Sequence, residues 1–316
     1  MVTGGAGFIG SHLVGRLVNE GCRVCVLDNL STGRRGNIAH LEQTVVFEQG
    51  DIRDRETVAR LMQGCDMVFH QAAEVSVPRT VEDPLTSAEI NDLGTLNILE
   101  AARRAGVRRV VLAGSCAVYG DDPRLPKDEG LPIRPRSPYA LQKRFNEMQA
   151  GLYHSLYGLE TVCLRYFNVY GPRQDPSSPY SGVISIFMTK ALQHAAPIIY
   201  GDGGQSRDFV FVRDVVSANL LAAQVPDAAG KVINIGTGRH VSINDLWRMI
   251  AAMAKTAATP VYQAPRPGDI RESLADIQRA ASLLGYTPRW SFEEGLQVTF
   301  DWYRRTAAGH PQASTG

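Results

Sequence analysis

Thr3-Gly4-Gly5-Ala6-Gly7-Phe8-Ile9-Gly10 is the stretch whose reading decides the fold. It satisfies G-x-G-x-x-G from Gly5 and G-x-x-G-x-x-G from Gly4. A glycine pattern alone is weak, so its surroundings carry the weight. It follows a strand fragment, Met1-Val2-Thr3, and opens an amphipathic run over Ser11–Asn19. The next strand closes on Asp28, 18 residues past Gly10, where a dinucleotide loop expects an acid at about 20. Glycines let backbone N–H groups approach a pyrophosphate, the helix N-terminus adds partial positive charge, and the carboxylate accepts from an adenosine ribose hydroxyl. The plain alternative is a tight strand–helix turn with an incidental aspartate. Asp28 would repel a 2′-phosphate, so NAD is expected rather than NADP. Arg34 and Arg35 argue the reverse and are read as solvated loop charges. Only Met1-Val2-Thr3 of the strand stands before the loop, which leaves the length of the first strand open.

Outward from the loop, strands alternate with helices. Short β-branched runs at Val24–Leu27, Thr44–Glu48, Met67–Phe69 and Arg109–Leu112 are separated by amphipathic Glu56–Met62 and a long segment over Ala88–Ala105. Such alternation means βαβ units and a parallel sheet covered on both faces. The expected class is α/β, a doubly wound Rossmann-like sheet with a smaller mixed α/β substrate-binding lobe. The second half is mixed. Turn-rich Gly171–Gly182, Gly201–Gly204 and Pro265–Gly268 separate helix-like Ile184–His194, Val215–Gln224 and Asn244–Ala254, and Val232–Ile235 reads as a strand. The dinucleotide domain is expected over 1–165 with a return segment near 208–235. The lobe is expected over 166–207 and 236–303, and a tail over 304–316, frayed from Ala307.

Composition excludes several classes of function. At 316 residues, 44% hydrophobic and 21% charged, the chain is globular and suited to two domains. Lys plus Arg is 33 against Asp plus Glu at 32, a net +1 that offers no field for nucleic acid or an anionic membrane. The longest apolar run found, Met249–Ala254, is far below the roughly 18 residues that span a bilayer. No basic stretch with an apolar core precedes the glycine loop, so a soluble cytoplasmic protein is expected. The five cysteines are odd in number and dispersed. Cys22-Arg-Val-Cys25 has the spacing of a redox or zinc pair, but no second pair or His cluster completes it. No metal is expected, and the thiols are read as buried and inert.

Ser137-Pro138 starts a helix that places Tyr139 and Lys143 at i and i+4 on one face. A phenol of pKa ~10 is a poor base at neutral pH, and a neighbouring ammonium lowers it. Ser115, ending the strand at Val110–Gly114, lies 24 residues before Tyr139. A surface Tyr–Lys pair is the plain alternative, and the dinucleotide loop upstream weighs against it.

In this order and spacing the chain resembles the extended short-chain dehydrogenase/reductase family, and within it the UDP-sugar 4-epimerases. The resemblance runs from residue 1 to about 303 through TGGAGFIG, LDNLSTG, GDIRD at Gly50–Asp54, HQAA at His70–Ala73 and SVPR at Ser76–Arg79. It continues through AVYGD at Ala117–Asp121, SPYALQK, LRYFNVYGPRQDP at Leu164–Pro176, YGDGGQSRDFVFVRDV at Tyr200–Val215, NIGTG at Asn234–Gly238 and RPGDIRESLAD at Arg266–Asp276. The resemblance implies a catalytic set of Ser115, Tyr139 and Lys143. It implies that Gly4, Gly7, Phe8, Ile9, Gly10, Asp28 and Asn29 hold NAD, with Asp51 and Ile52 beside the adenine. Ala72 and Ala73 lie beneath the adenosine-side phosphate and ribose, and Gln71, Asn91 and Tyr166 complete the cofactor set with Tyr139 and Lys143. For a UDP-sugar it implies Asn168 and Arg207 on the diphosphate, Ile198–Tyr200 on the uracil, and Arg266 and Asp269 on the diphosphate and uridine ribose. Ser76, Arg79, Gln174, Gly182, Val183 and Ser273 are expected around the sugar. A homodimer through two helices per subunit is also implied.

The sequence departs from its relatives at Gly114, where a second serine is frequent. Dehydrating and decarboxylating relatives carry acids just after the catalytic hydroxyl residue. Here Cys116 and Ala117 stand there, which argues for hydride out and hydride back. Ser273 aligns with the position where family members restricted to UDP-glucose and UDP-galactose carry tyrosine. The expected reaction is therefore interconversion of UDP-N-acetylglucosamine and UDP-N-acetylgalactosamine, with the non-acetylated pair as alternative. A UDP-glucuronate 4-epimerase, an NAD(P)-linked reductase and a regulatory dinucleotide-sensing protein are the further rivals.

Overall fold

The computed structural model describes residues 1–175, 182–265 and 270–309. The first half runs β1 (Val2–Thr3), α1 (Phe8–Asn19), β2 (Val24–Asp28), β3 (Val45–Gln49), α2 (Arg55–Met62), β4 (Met67–His70), α3 (Val77–Glu82), α4 (Pro84–Ala88), α5 (Gly94–Ala105), β5 (Arg109–Ser115), α6 (Pro138–Tyr157) and β6 (Glu160–Tyr166). Then follow β7 (Asn168–Tyr170), α7 (Val183–Leu192), β8 (Ile198–Tyr200), β9 (Ser206–Arg207), β10 (Phe209–Phe211), α8 (Val212–Gln224) and β11 (Lys231–Ile235). The last elements are β12 (Val241–Ser242), α9 (Ile243–Ala254), β13 (Val261–Gln263), α10 (Gln278–Leu284) and α11 (Phe292–Gly309).

Among the described residues, seven strands pair in parallel in the order β11-β6-β5-β4-β1-β2-β3. The order reverses at β1, whose Val2 stands opposite Val26 on one side and Phe69 on the other. Ligands of such sheets bind beyond the carboxyl ends of the strands at this reversal. The central strand is two residues long, Val2–Thr3. It is nevertheless held from both flanks.

Each sheet face buries its own apolar cluster. Leu13, Val14, Val26, Val111, Val215 and Ile233 pack on one face, and Leu27, Val58, Met62, Ile98, Leu99 and Val110 on the other. Each such side chain contributes about 1.5–3 kcal/mol by leaving water. The mixed lobe has a third core around Phe187, Phe209, Phe211, Leu246, Trp247 and Phe300. Three two-stranded ribbons serve it: β7 with β10, β9 with β12, and β8 with β13.

Local chemistry sets the helix that matters most. Ser137 accepts from the Ala140 N–H at 3.2 Å, Pro138 presets the first helical φ, and Gly158 ends α6 at φ 70°. Several expectations need correction. The long segment over Ala88–Ala105 is helical throughout, but widens into a π turn at Glu89–Leu93 between α4 and α5. There the buried Asn91 turns its amide away from the helix to clasp Glu74 and Gln142, a distortion typical of π turns. Strand β5 runs on to Ser115, and α8 begins at Val212. Within 208–235, β10 pairs with β7 and only β11 joins the main sheet. Helix α11 continues past Ala307 to Gly309. Cys22 is exposed, because the strand starts only at Val24; Cys25, Cys65 and Cys116 are half-buried residues, and Cys163 is buried throughout. No helix among the described residues is long and apolar enough to cross a membrane.

Candidate active site

The glycine loop joins β1 to α1 at the reversal of strand order. Gly4 has φ 65°, and a β-carbon on it would stand 2.8 Å from the Ala72 nitrogen; one on Gly10 would run into the Gly4 carbonyl. The loop can therefore lie against the end of β4 only because side chains are missing. Helix α1 starts with no capping side chain and no acid in its first turn. Its first N–H groups face the crevice, which suits a pyrophosphate. Asp28 spans the loop from behind, accepting from Ala6 N at 2.9 Å and Leu30 N at 2.8 Å. Burial pushes its carboxyl up and the backbone N–H groups oppose this. Its work thus begins with shaping the loop, and its remaining lone pairs are what a ribose would use. Arg34 is paired with Asp175 at 2.7 Å and Arg35 with Glu42 at 3.1 Å, so both arginines are engaged elsewhere.

Asn29 donates to Asp51 at 2.9 Å, and Arg53 grips both Asp51 oxygens at 3.0 Å, pulling that carboxyl down to about 2. Ile52 is buried in the second sheet-face core, so its backbone and not its side chain borders the crevice. At the end of β4, Gln71 donates to Tyr166 and Asn219, each at 3.2 Å. Ala72 N donates to Thr3 at 3.3 Å and Ala73 follows it. Asn91 has both amide ends committed to the Glu74 backbone and Gln142, which makes it a clasp beneath the site. Phe8 packs partly against the lobe core, and Ile9 partly against both that core and the first sheet-face core.

The structure brings Ser115, Tyr139 and Lys143 together where β5 ends and α6 begins. Ser115 accepts from Ala117 N at 3.2 Å, which caps the turn Cys116–Tyr119, and its hydroxyl neighbours the Tyr139 phenol. The Lys143 ammonium donates to the Ala113 carbonyl at 2.9 Å and lies 5.8 Å from the Tyr139 ring centre. Burial pushes the phenol up to about 12, with only the neighbouring Ser115 hydroxyl acting to lower it. Burial likewise lowers Lys143 to about 8, against Cys163, Glu147 and Asp92. The expectation that the neighbouring ammonium lowers the phenol is not met here. Its ammonium is anchored on a carbonyl, and desolvation outweighs it. Gly114 has no room for a second serine, since a β-carbon would stand 2.9 Å from the Leu164 carbonyl.

On the lobe side, Ser76 caps α3 at 3.2 Å from Arg79 N, and Arg79 reaches Glu74 at 3.3 Å. Asn168 donates through its backbone to the Asp208 carbonyl at 3.0 Å, and Arg207 stands on β9. Gln174 donates to the Val169 carbonyl at 3.3 Å, and Gly182 with Val183 opens α7. Ile198 lies on β8 and Tyr200 ends it, beside an open cavity of about 500 Å³ lined also by Gln205, Gln263, Pro265 and the Asp202–Arg271 ion pair. Arg266 and Asp269 lie outside the described residues. Ser273 donates its backbone N–H to the Ser206 carbonyl at 3.1 Å, and its side chain neighbours the thiol of Cys116, the residue after Ser115.

Some residues carried no sequence signal of a role. Asp208 binds Thr237, Gly238 and Ala275 at 2.7–3.1 Å, tying three segments of the lobe together. Asp92 faces Lys143 and is pushed up to about 6 by burial; its Oδ1 is buried without a hydrogen-bond partner among the described residues. Both are single acids in quoted or neighbouring motifs, and only the fold shows what they touch.

A dinucleotide loop beside a serine, tyrosine and lysine at the carboxyl edge of a parallel sheet defines an enzyme of the short-chain dehydrogenase/reductase type. Residues 1–236 match the NAD dependent epimerase/dehydratase family. The chain is 41% identical over 308 residues to UDP-glucose 4-epimerase of Mycolicibacterium smegmatis, covering 96% of this chain and 98% of that one. UDP-glucose 4-epimerase of Thermus thermophilus in complex with NAD is similar with TM-score 0.87 and 41% identity, covering 96% and 98%. UDP-N-acetylglucosamine 4-epimerase of Methanobrevibacter ruminantium in complex with UDP-N-acetylmuramic acid is similar with TM-score 0.93 and 38% identity, covering 96% and 97%. The chain belongs to the NAD dependent epimerase/dehydratase family, and its cofactor is NAD.

The buried lysine makes a testable statement about stability. Its folded pKa near 8 lies below the ordinary 10.5, so between those values the unfolded chain holds the proton more tightly. Stability then rises with pH. The wild type should gain about 3 kcal/mol relative to Lys143→Met between pH 7 and pH 10.5, read by urea unfolding at both ends. A difference independent of pH would mean that the ammonium is solvated.

Proposed function

We propose that the protein is an NAD-dependent UDP-sugar 4-epimerase that interconverts UDP-N-acetylglucosamine and UDP-N-acetylgalactosamine. The observation that carries the sugar assignment is Ser273, a small residue at the Cys116 thiol beside the catalytic serine. A tyrosine there would fill the space next to the sugar 2-substituent; a serine leaves it open. UDP-glucose and UDP-galactose are the weaker pair.

Bound NAD would supply a hydride acceptor and later a hydride donor, together with a positive charge that favours the phenolate. Tyr139 then takes the proton of the sugar 4-hydroxyl as carbon 4 loses its hydride. Ser115 hydrogen-bonds the same oxygen and stabilises its developing charge. The Lys143 ammonium, anchored on Ala113, holds the nicotinamide ribose and favours the deprotonated phenol. The resulting 4-keto sugar turns over, and Tyr139 returns its proton to the oxygen as the opposite face is reduced. Nothing is gained or lost overall. Burial raises the Cys116 thiol to about 12, so neither it nor Ala117 can protonate a leaving hydroxyl, which supports epimerisation over dehydration.

A second copy of the chain is proposed as partner. Leu141, Phe145, Met148, Leu152 and Leu156 form an exposed stripe along α6, from 41% to 67% accessible, at the spacing of one helix face. Leu152→Glu should halve the mass seen by light scattering at micromolar protein, and an unchanged mass would rule out this face.

Two experiments address the chemistry. Tyr139→Phe should lower turnover by about 10²-fold or more with NAD still bound, whereas near wild-type turnover would remove it as the base. Ser273→Tyr should abolish conversion of the acetylated pair while sparing UDP-glucose conversion. A parent enzyme that ignores acetylated sugars would overturn the sugar assignment and leave the epimerase reading standing.

A further inference from the structure

Behind the catalytic pair, α6 carries Glu147, four residues beyond Lys143 and fully buried. Arg165 of β6, equally buried, grips both Glu147 oxygens at 2.7 and 2.9 Å. Its remaining amine donates to the Tyr119 hydroxyl at 2.9 Å, and that hydroxyl donates to Asn234 Oδ1 at 2.7 Å. Asn234 in turn donates to the carbonyls of Lys127 at 2.8 Å and Asp276 at 3.3 Å. Lys127 and Asp276 are stitched to each other, and Lys127 N to the Leu274 carbonyl at 2.8 Å. The chain of bonds thus runs from the catalytic helix to the strap that carries Ser273.

Tyr119 sits in the turn capped by Ser115, three residues after Cys116. In such a turn i and i+3 eclipse. Both are joined to the strap: Cys116 neighbours Ser273, and Tyr119 is linked through Asn234 to Asp276 and shares one buried cluster with Ala275. We propose that Tyr119 is a specificity-determining positioning residue whose hydroxyl sets the gap between the catalytic helix and the Ser273 strap, and with it the room for a sugar 2-substituent. This rests on the reading that Ser273 borders the sugar.

The test uses the full-length holoenzyme with Tyr119→Phe, Ser273→Tyr, the double variant and Tyr153→Phe. Tyr153 also donates from α6, to Glu100 at 3.2 Å, but outside the network, and so controls for a lost hydrogen bond on that helix. Tyr119→Phe should raise KM for UDP-N-acetylglucosamine about fivefold, the size of one neutral hydrogen bond, with kcat and the UDP-glucose KM little changed. Its UDP-glucose KM should stay unchanged in the Ser273→Tyr background. Tyr153→Phe should shift neither KM. An unaltered KM ratio in Tyr119→Phe, or an equal loss for both sugars, overturns the proposal. If Ser273→Tyr alone changes neither sugar, the gatekeeper reading falls, and the Tyr119→Phe ratio still decides whether the joint governs the pocket.

Discussion

The close approach of the glycine loop to the end of β4 is the constraint on which the site depends. Gly4 lies against the Ala72 backbone and Gly10 beneath the Gly4 carbonyl, so no side chain can stand between strand and helix. Beneath them a buried histidine secures the reversal of strand order. Thr95 donates to the Asn91 carbonyl at 2.6 Å, so it must accept from His70 Nε2 at 3.0 Å; Thr3 then donates to His70 Nδ1 at 2.7 Å. Every proton in that chain has one direction. Burial drives the imidazole down to about 3, so it stays neutral and adds no charge under the cofactor.

The same burial governs the acid–base pair from opposite sides. It raises the Tyr139 phenol and lowers the Lys143 ammonium, disfavouring the charged form of each. Such a setting holds Tyr139 in its neutral form and draws Lys143 toward its own. The effect is selective, because the lysine keeps a carbonyl partner and the tyrosine a hydroxyl.

Buried charge recurs behind the site at Glu147 and Arg165, where taking both ions from water offsets much of their attraction. Their value lies in geometry. A bidentate pair admits one alignment of α6 on β6, and the tyrosine and asparagine beyond it extend that alignment into the lobe.

Much of this was legible along the chain. The glycine loop, Asp28 and the Tyr139–Lys143 spacing are local patterns, because a helix turn or a strand end places such residues within a few positions of each other. The alternation of strands and helices likewise announced the doubly wound sheet, since side-chain periodicity is a property of each segment. Local pattern could not show that Asn91 spends its amide on Glu74, that the long helix widens into a π turn at Glu89–Leu93, or that Cys22 falls outside its strand. Nor could it join Tyr119 to Asn234 across 115 positions, or Ser273 to Cys116. Such partners are chosen by packing of distant segments, and the direction of the pKa shifts follows from burial that exists only once the lobes close over the sheet edge.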